Sequence, residues 1–254
     1  MNQEIQTILV FVVIGFVAQM VDGALGIAYG VTSTTFLLTI GISPVMASVS
    51  VHTAEIFTSG VSGLSHLKLQ NVDYNLFKKL VIPGVLGGVL GAYVLTAVPG
   101  NIIKPFVTIY LLIMGLIIVW KALKNVRSKS VQRAEMRAKL VPLGIVGGFL
   151  DAIGGGGWGP IVTSTLVARG NNPRYTVGSV NLTEFFITIA EVATLFMRIK
   201  LIHWQLILGL IVGGIIAAPL AAFICKKLPP KVLMVVIGLL IMVLSVRILL
   251  SYIL

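Results

Sequence analysis

Apolar runs fill nearly the whole chain, separated by short polar or glycine-rich stops. A helix that spans lipid needs about 20 apolar residues. Read at that length, the first half predicts helical segments at 5–21, 25–40, 44–66, 73–97 and 101–124. The second half predicts them at 139–152, 158–169, 173–197, 203–226 and 231–253. The third, fourth and fifth segments of each half are long enough to span. The first two are short and meet at a glycine-rich break. In the second half each of that pair holds about a dozen residues, about 20 Å of helix, which is less than a hydrocarbon core of about 30 Å. They are read as a re-entrant pair, or as halves of broken helices.

The stops recur. Setting Asp22 against Asp151, an offset of 129 residues (151 − 22), aligns Gly15 with Gly144, Gly26 with Gly155, Gly30 with Gly159 and Thr34 with Thr163. Without a gap it also aligns Pro44 with Pro173, Ser50-Val51 with Ser179-Val180, and Glu55 with Glu184. Tyr29 then faces Trp158, and His52 faces Asn181. Duplication of this kind is how many transporter folds are built. The expected organisation is a first transmembrane repeat at 1–124, a basic linker at 125–138 and a second repeat at 139–254, forming one membrane domain. The fold class expected is an all-α polytopic integral membrane protein made of two inverted repeats of about five helical segments each.

Composition agrees. Hydrophobic residues make up 57% of the 254-residue chain and charged residues 11%. A soluble domain carries about 25% charged residues, and a water-facing surface cannot be built from so few. The net charge of +11 suggests nucleic acid only until its position is noted. Seven of the 19 Lys and Arg lie between Lys121 and Lys139, and most others sit at the ends of apolar runs. That pattern sets topology beside a membrane; the partner implied is the lipid bilayer and not nucleic acid. With residues 121–139 cytoplasmic and each repeat crossing an odd number of times, Lys68, Arg169, Arg174, Lys226, Lys227 and Lys231 fall inside. Both termini then fall outside and the copies are inverted. Cys225 is the single cysteine, which excludes an intrachain disulfide, and it reads as a small apolar filler. Met1-Asn2-Gln3-Glu4 lacks the positive start of a cleaved signal peptide, so the first apolar run is expected to remain. A homodimer is compatible with the sequence.

Two constellations carry candidate chemistry. The first is Asp22-Gly-Ala-Leu-Gly26-Ile-Ala-Tyr-Gly30 with Asp151-Ala-Ile-Gly-Gly155-Gly156-Gly157-Trp158-Gly159. Each glycine weakens a helix by about 1 kcal/mol, and the run Gly154 to Gly157 will break one. Irregular backbone at membrane depth survives where it lines a cavity or is buried in protein. The N–H groups opened at the next helix start attract anions. Ser33, Thr34 and Thr163 follow with hydroxyl donors. The competing reading is close helix packing, which is preferred for Gly84-x-x-x-Gly88 and Gly209-x-x-x-Gly213. The second constellation is Ser50-Val-His52-Thr-Ala-Glu55 with Ser179-Val-Asn181-Leu-Thr-Glu184. His52 and Glu55 share a helix face at i, i+3, as do Asn181 and Glu184. A carboxyl inside a bilayer must be paired, hydrated or protonated. Coupling acids and a helix-to-helix hydrogen bond are both open readings for Asp22, Glu55, Asp151 and Glu184. Glu191, opposite Ser62 in the repeat, is the weaker candidate. His66 and His203 read as interfacial; the three histidines show no metal-ligand spacing along the chain. Trp120, Trp158 and Trp204 fit an interfacial belt, and Trp158 also adjoins the break. No cofactor is implied.

The glycine-rich break after an aspartate, occurring twice around a basic central loop, resembles the TauE/SafE family of sulfite and organosulfonate exporters over about residues 8–254. The first copy departs from the glycine-dense form, with Ala24, Leu25, Ile27 and Ala28 where the second has Ile153, Gly154, Gly156 and Gly157. The resemblance implies a secondary transporter in the cell membrane that exports small sulfur-containing anions such as sulfite, sulfoacetate or thiosulfate. The anion would bind at Gly26, Ser33, Thr34, His52, Gly155, Gly156, Gly157, Trp158, Thr163 and Asn181. The chain shows no ATP-binding motif, so an ion gradient or the anion's own gradient would drive it. Two other readings are an intramembrane hydrolase using Asp22 and Asp151 as a carboxylate pair, and a passive anion channel.

Overall fold

A computed structural model describes residues 3–27, 29–123, 139–169, 171–199, 204–224 and 230–250. The linker 125–138, His203 and Cys225 lie outside the described residues. Among the described residues every regular element is a helix. The first copy holds α1 (Gln3–Leu25), α2 (Tyr29–Thr39), α3 (Pro44–Lys68), α4 (Tyr74–Ala97) and α5 (Gly100–Leu123). The second holds α6 (Leu140–Gly154), a π-helical turn (Gly159–Thr163) that runs into α7 (Ser164–Ala168), then α8 (Pro173–Phe196), α9 (Trp204–Ile224) and α10 (Pro230–Leu250).

Local chemistry sets the ends. Ser43 caps α3 by accepting from the Met46 N–H, and Asn172 caps α8 by accepting from the Arg174 N–H, each with a proline at the first helical position. These caps are repeat mates. One expectation is corrected: α1 is 23 residues long, not a short segment ending at 21. It runs through Asp22, and α6 runs through Asp151, because neither aspartate stops its helix. The stop comes at Gly26 and Gly155, mates that both adopt φ +65°, the left-handed conformation that glycine takes at a helix C-terminus.

Close packing joins the copies. Between hydrocarbon-soaked helices, small residues let backbones approach. A Cβ at Gly15 or Gly213 would run into the backbone of Leu210 or Val12, on the α1–α9 contact. A Cβ at Gly87, Gly91 or Gly148 would run into that of Ile145, Phe149 or Gly84, on the α4–α6 contact. Exchanging the copies turns one contact into the other. The central pair, α3 and α8, is its own mate and runs antiparallel: Gly60 lies against Phe185, Ser62 bonds Asn181, and His52 meets Glu191. Equivalent helices that pack antiparallel are related by a two-fold axis crossing them, so the copies are inverted. The C-terminal end of α3 therefore meets the start of α8, where Arg174 Nη2 donates to the Leu69 carbonyl at 2.9 Å.

Among the described residues, four helices are long and apolar enough to cross a bilayer: Tyr74–Ala97, Gly100–Leu123, Arg174–Phe196 and Trp204–Ala221. Large apolar side chains such as Val13, Ile82, Phe106, Val212 and Val243 face outward, while Ser50, His52, Glu55, Asp151, Asn181 and Glu191 are buried. This is an all-α polytopic membrane protein. Trp120 and Trp204 are exposed as belt residues are, but Trp158 is fully buried, and its ring packs with Leu80, Val162 and Ile187 in a second core. His66 is also buried, bonded to Asn71, and not at an exposed interface.

Candidate functional site

The two breaks are built alike and meet. Asp22 Oδ1 accepts from the Tyr29 N–H at 3.4 Å. Its mate, Asp151 Oδ1, accepts from the Gly157 N–H at 2.5 Å and the Trp158 N–H at 2.9 Å. Each aspartate, in the last turn of one helix, reaches over the break to the start of the next. Amides read as open to an anion at Gly157 and Trp158 are thus held by a carboxylate of the chain itself. Gly155 is met by Thr34, whose hydroxyl donates to the Gly155 carbonyl at 2.6 Å. The mated pair, Gly26 and Thr163, lies together too, with Thr163 Oγ1 3.3 Å and Asn181 Nδ2 3.5 Å from where a Gly26 Cβ would stand. At the crossing, Gly156 (φ +145°) lies against the backbone of Gly30 and Val31, closer than any Cβ allows.

Beside the crossing is a small polar cavity, about 160 Å³ including its open mouth, whose lining includes Asp22, Tyr29, Gly30, Asp151, Gly157 and Glu184. The hydroxyls of Ser33 and Thr163 are buried with no hydrogen-bond partner among the described residues. The Trp158 side chain points away into the core, where Nε1 donates to the Val180 carbonyl at 3.2 Å; only its backbone belongs to the break.

Against the breaks lie α3 and α8. His52 Nε2 stands 3.1 Å from Glu191 Oε2, 3.7 Å from Asp151 Oδ2 and 3.8 Å from Glu55 Oε2, all fully or almost fully buried. The mated contact is neutral: Ser62 Oγ donates to Asn181 Oδ1 at 3.1 Å. Under the 129-residue offset, His52 maps to Asn181 and Ser62 maps to Glu191, so one inverted contact joins two ionisable side chains and the other joins two that do not ionise. The Glu55 carboxyl also approaches Gly30.

The structure therefore gathers Gly26, Thr34, His52, Gly155, Gly156, Gly157, Thr163 and Asn181 with the acids Asp22, Glu55, Asp151 and Glu184 around the crossing. Sequence reasoning underrated Glu191. It lies seven residues after Glu184, hence on the same face of α8, and that spacing was the available signal. It also missed Ser48, which donates to the Ala152 carbonyl at 2.8 Å. Two residues of α5 were missed as well. Tyr110 packs on Gly154 and Gly157, and Lys121 Nζ reaches the Pro160 carbonyl at 3.5 Å. No pattern within α5 announces either contact.

The chain is similar in sequence to known proteins. The family described as sulfite exporter TauE/SafE matches residues 11–248. A protein of Bacillus subtilis (strain 168) named probable membrane transporter protein YtnM is 40% identical over 250 residues, covering 96% of this chain and 83% of that one. No solved structure matches. A match over almost the whole chain, in a protein with the duplicated break at its centre, places this chain in the TauE/SafE family of membrane transporters.

Proposed function

We propose that the chain is a secondary transporter that moves small sulfur oxyanions or organosulfonates, sulfite, sulfoacetate and thiosulfate among them, across the cell membrane by alternating access. The observation that carries this reading is the meeting of two inverted glycine breaks at Gly30 and Gly156, beside a small polar cavity. Broken helices at the interface of inverted repeats form the substrate site in many secondary transporters, and rocking one repeat against the other opens it to each side in turn. Hydroxyls of Ser33 and Thr163, with the side-chain amide of Asn181, supply donors to an anion. In the cell the segment 121–139 faces the cytoplasm and the chain ends face outward, which puts export in the direction from the basic face.

The hydrolase reading has no support from a family of transporters, and Asp22 and Asp151 each spend an oxygen on an amide of their own break. A channel reading differs in its kinetics. Purified protein in liposomes, loaded in turn with labelled sulfite, sulfoacetate and thiosulfate, is expected to show saturable efflux of at least one and acceleration by the same anion outside. Efflux that never saturates assigns a channel; no efflux of any of them removes the substrate class.

A further inference from the structure

The strongest unexplained feature is the convergence on His52. Four side chains from three helices aim at one point: His52 and Glu55 from α3, Asp151 from α6 and Glu191 from α8. The coordinating atoms of His52, Asp151 and Glu191 lie within 4.8 Å of one another. Among the described residues His52 Nε2, Glu55 Oε2, Asp151 Oδ2 and both carboxylate oxygens of Glu191 are buried without a hydrogen-bond partner. Orphaned buried polar atoms are costly, and here they share one focus.

The imidazole tautomer sharpens this. His52 Nδ1 lies 2.8 Å from the Ser48 carbonyl and 3.0 Å from Ser48 Oγ. The carbonyl can only accept, and the Ser48 hydroxyl gives its hydrogen to the Ala152 carbonyl. Nδ1 therefore carries the hydrogen, and neutral His52 presents a lone pair at Nε2. That lone pair faces carboxylate oxygens, which also present lone pairs. Something positive belongs between them. A single proton, on Nε2 or on a carboxyl facing it, joins two of the four atoms and leaves the others orphaned. A metal ion joins the ligand atoms of His52, Asp151 and Glu191 at once, with Glu55 beside them. Metal bonds to imidazole and carboxylate are about 2.0–2.2 Å, which puts two ligands of one ion roughly 3 to 4.4 Å apart; the observed separations from Nε2 are 3.1 to 3.8 Å. A ligating histidine held by a backbone carbonyl through its other nitrogen is the usual outer arrangement of such sites.

We propose that His52, Asp151 and Glu191, with Glu55 beside them, bind a divalent cation of the class that accepts imidazole and carboxylate together, Zn2+ or Mn2+. The chain separation of positions 52, 151 and 191 hides this site from any spacing rule. Resting on the transport reading, the site has a second consequence. No Lys or Arg occurs within 5–66, and a bound dication offsets the negative charge of Asp151 and Glu191, which would otherwise repel an anion at the breaks.

The test is metal binding by the whole chain in detergent, stripped with chelator and titrated calorimetrically with Zn2+ and Mn2+, and with Co2+ for its visible spectrum. Wild type is expected to bind one ion per chain. His52→Gln and Glu191→Gln each weaken binding by at least about tenfold, and Asp151→Asn, which keeps an oxygen for the Gly157 and Trp158 N–H groups, weakens it by at least about tenfold. His66→Gln, altering a buried histidine outside the cluster, leaves it unchanged. Any one of the three cluster variants that stays monodisperse suffices. Absence of saturable binding in wild type, or wild-type affinity in the cluster variants, overturns the site. Chain that binds metal yet moves no sulfur anion refutes the transport reading alone; chain that transports without binding metal refutes the site alone.

Discussion

At the residue scale, the two aspartates illustrate how a polar group becomes legible before its job does. Their positions at the breaks were visible in the sequence, and coupling and structural roles were both open. Geometry gives each an oxygen-to-amide bond across its break, while the second oxygen of Asp151 turns to His52. Asp151→Ala orphans two buried N–H groups, at about 1–3 kcal/mol each, and should lower unfolding stability in detergent by about 3 kcal/mol. Asp151→Asn keeps an oxygen acceptor and should lose distinctly less. Equal stability of Asp151→Ala and wild type would remove the structural role. Thr34→Val is a companion case. Its hydroxyl serves the Gly155 carbonyl, so removing it should cost about 1–3 kcal/mol, read as a lower melting temperature before any change in substrate affinity.

At the scale of elements, the breaks work because each is pinned from both sides. Gly26 and Gly155 end their helices in the same left-handed conformation, and the π-helical turn after the second break starts from amides held by Asp151. Around them the α4–α6 and α1–α9 contacts bring backbone to backbone at glycine. The α4–α6 contact is the more informative to disturb, since Gly148 abuts Gly84 with no side chain able to yield. Gly148→Val should destabilise by about 3 kcal/mol or more through overpacking, and the yield of monodisperse protein should fall. Gly100→Val, where a Cβ meets nothing within 4 Å, should behave like wild type. Matching behaviour of the two variants would mean that the contact contributes little.

At the scale of the whole molecule, inversion and charge lead to one topology. The antiparallel α3–α8 pair brings Lys68 and Arg174 to one face. Alternating helix directions bring the ends of the basic linker to that same face and the start of α1 to the opposite one. By the positive-inside rule, labelling of single cysteines added at 125–138, in a Cys225→Ser background, should require permeabilised cells. Cysteines added at the chain ends should react in intact ones. Linker cysteines that react from outside would reverse the orientation and leave the fold unchanged.

By itself the sequence determined the membrane class, the duplication and the presence of a glycine-rich break in each copy, though not the residue at which α1 ends. Each of these depends on local quantities: apolar run length, glycine content, and the recurrence of Asp, Gly, Thr and Pro at a single offset. It also determined that polar side chains from α3 and α8 must be buried, since lipid excludes them. Only the tertiary structure decided which of them meet. Glu191 joins His52 instead of pairing within its own helix because antiparallel packing brings positions 52 and 191 together, a fact about two helices and their register. Trp158, next to the break in sequence, turns into the core because its indole finds space beneath Gly84 and Gly147. Separations along a chain record helix faces, whereas a site shared by inverted copies depends on how those faces are brought together in space.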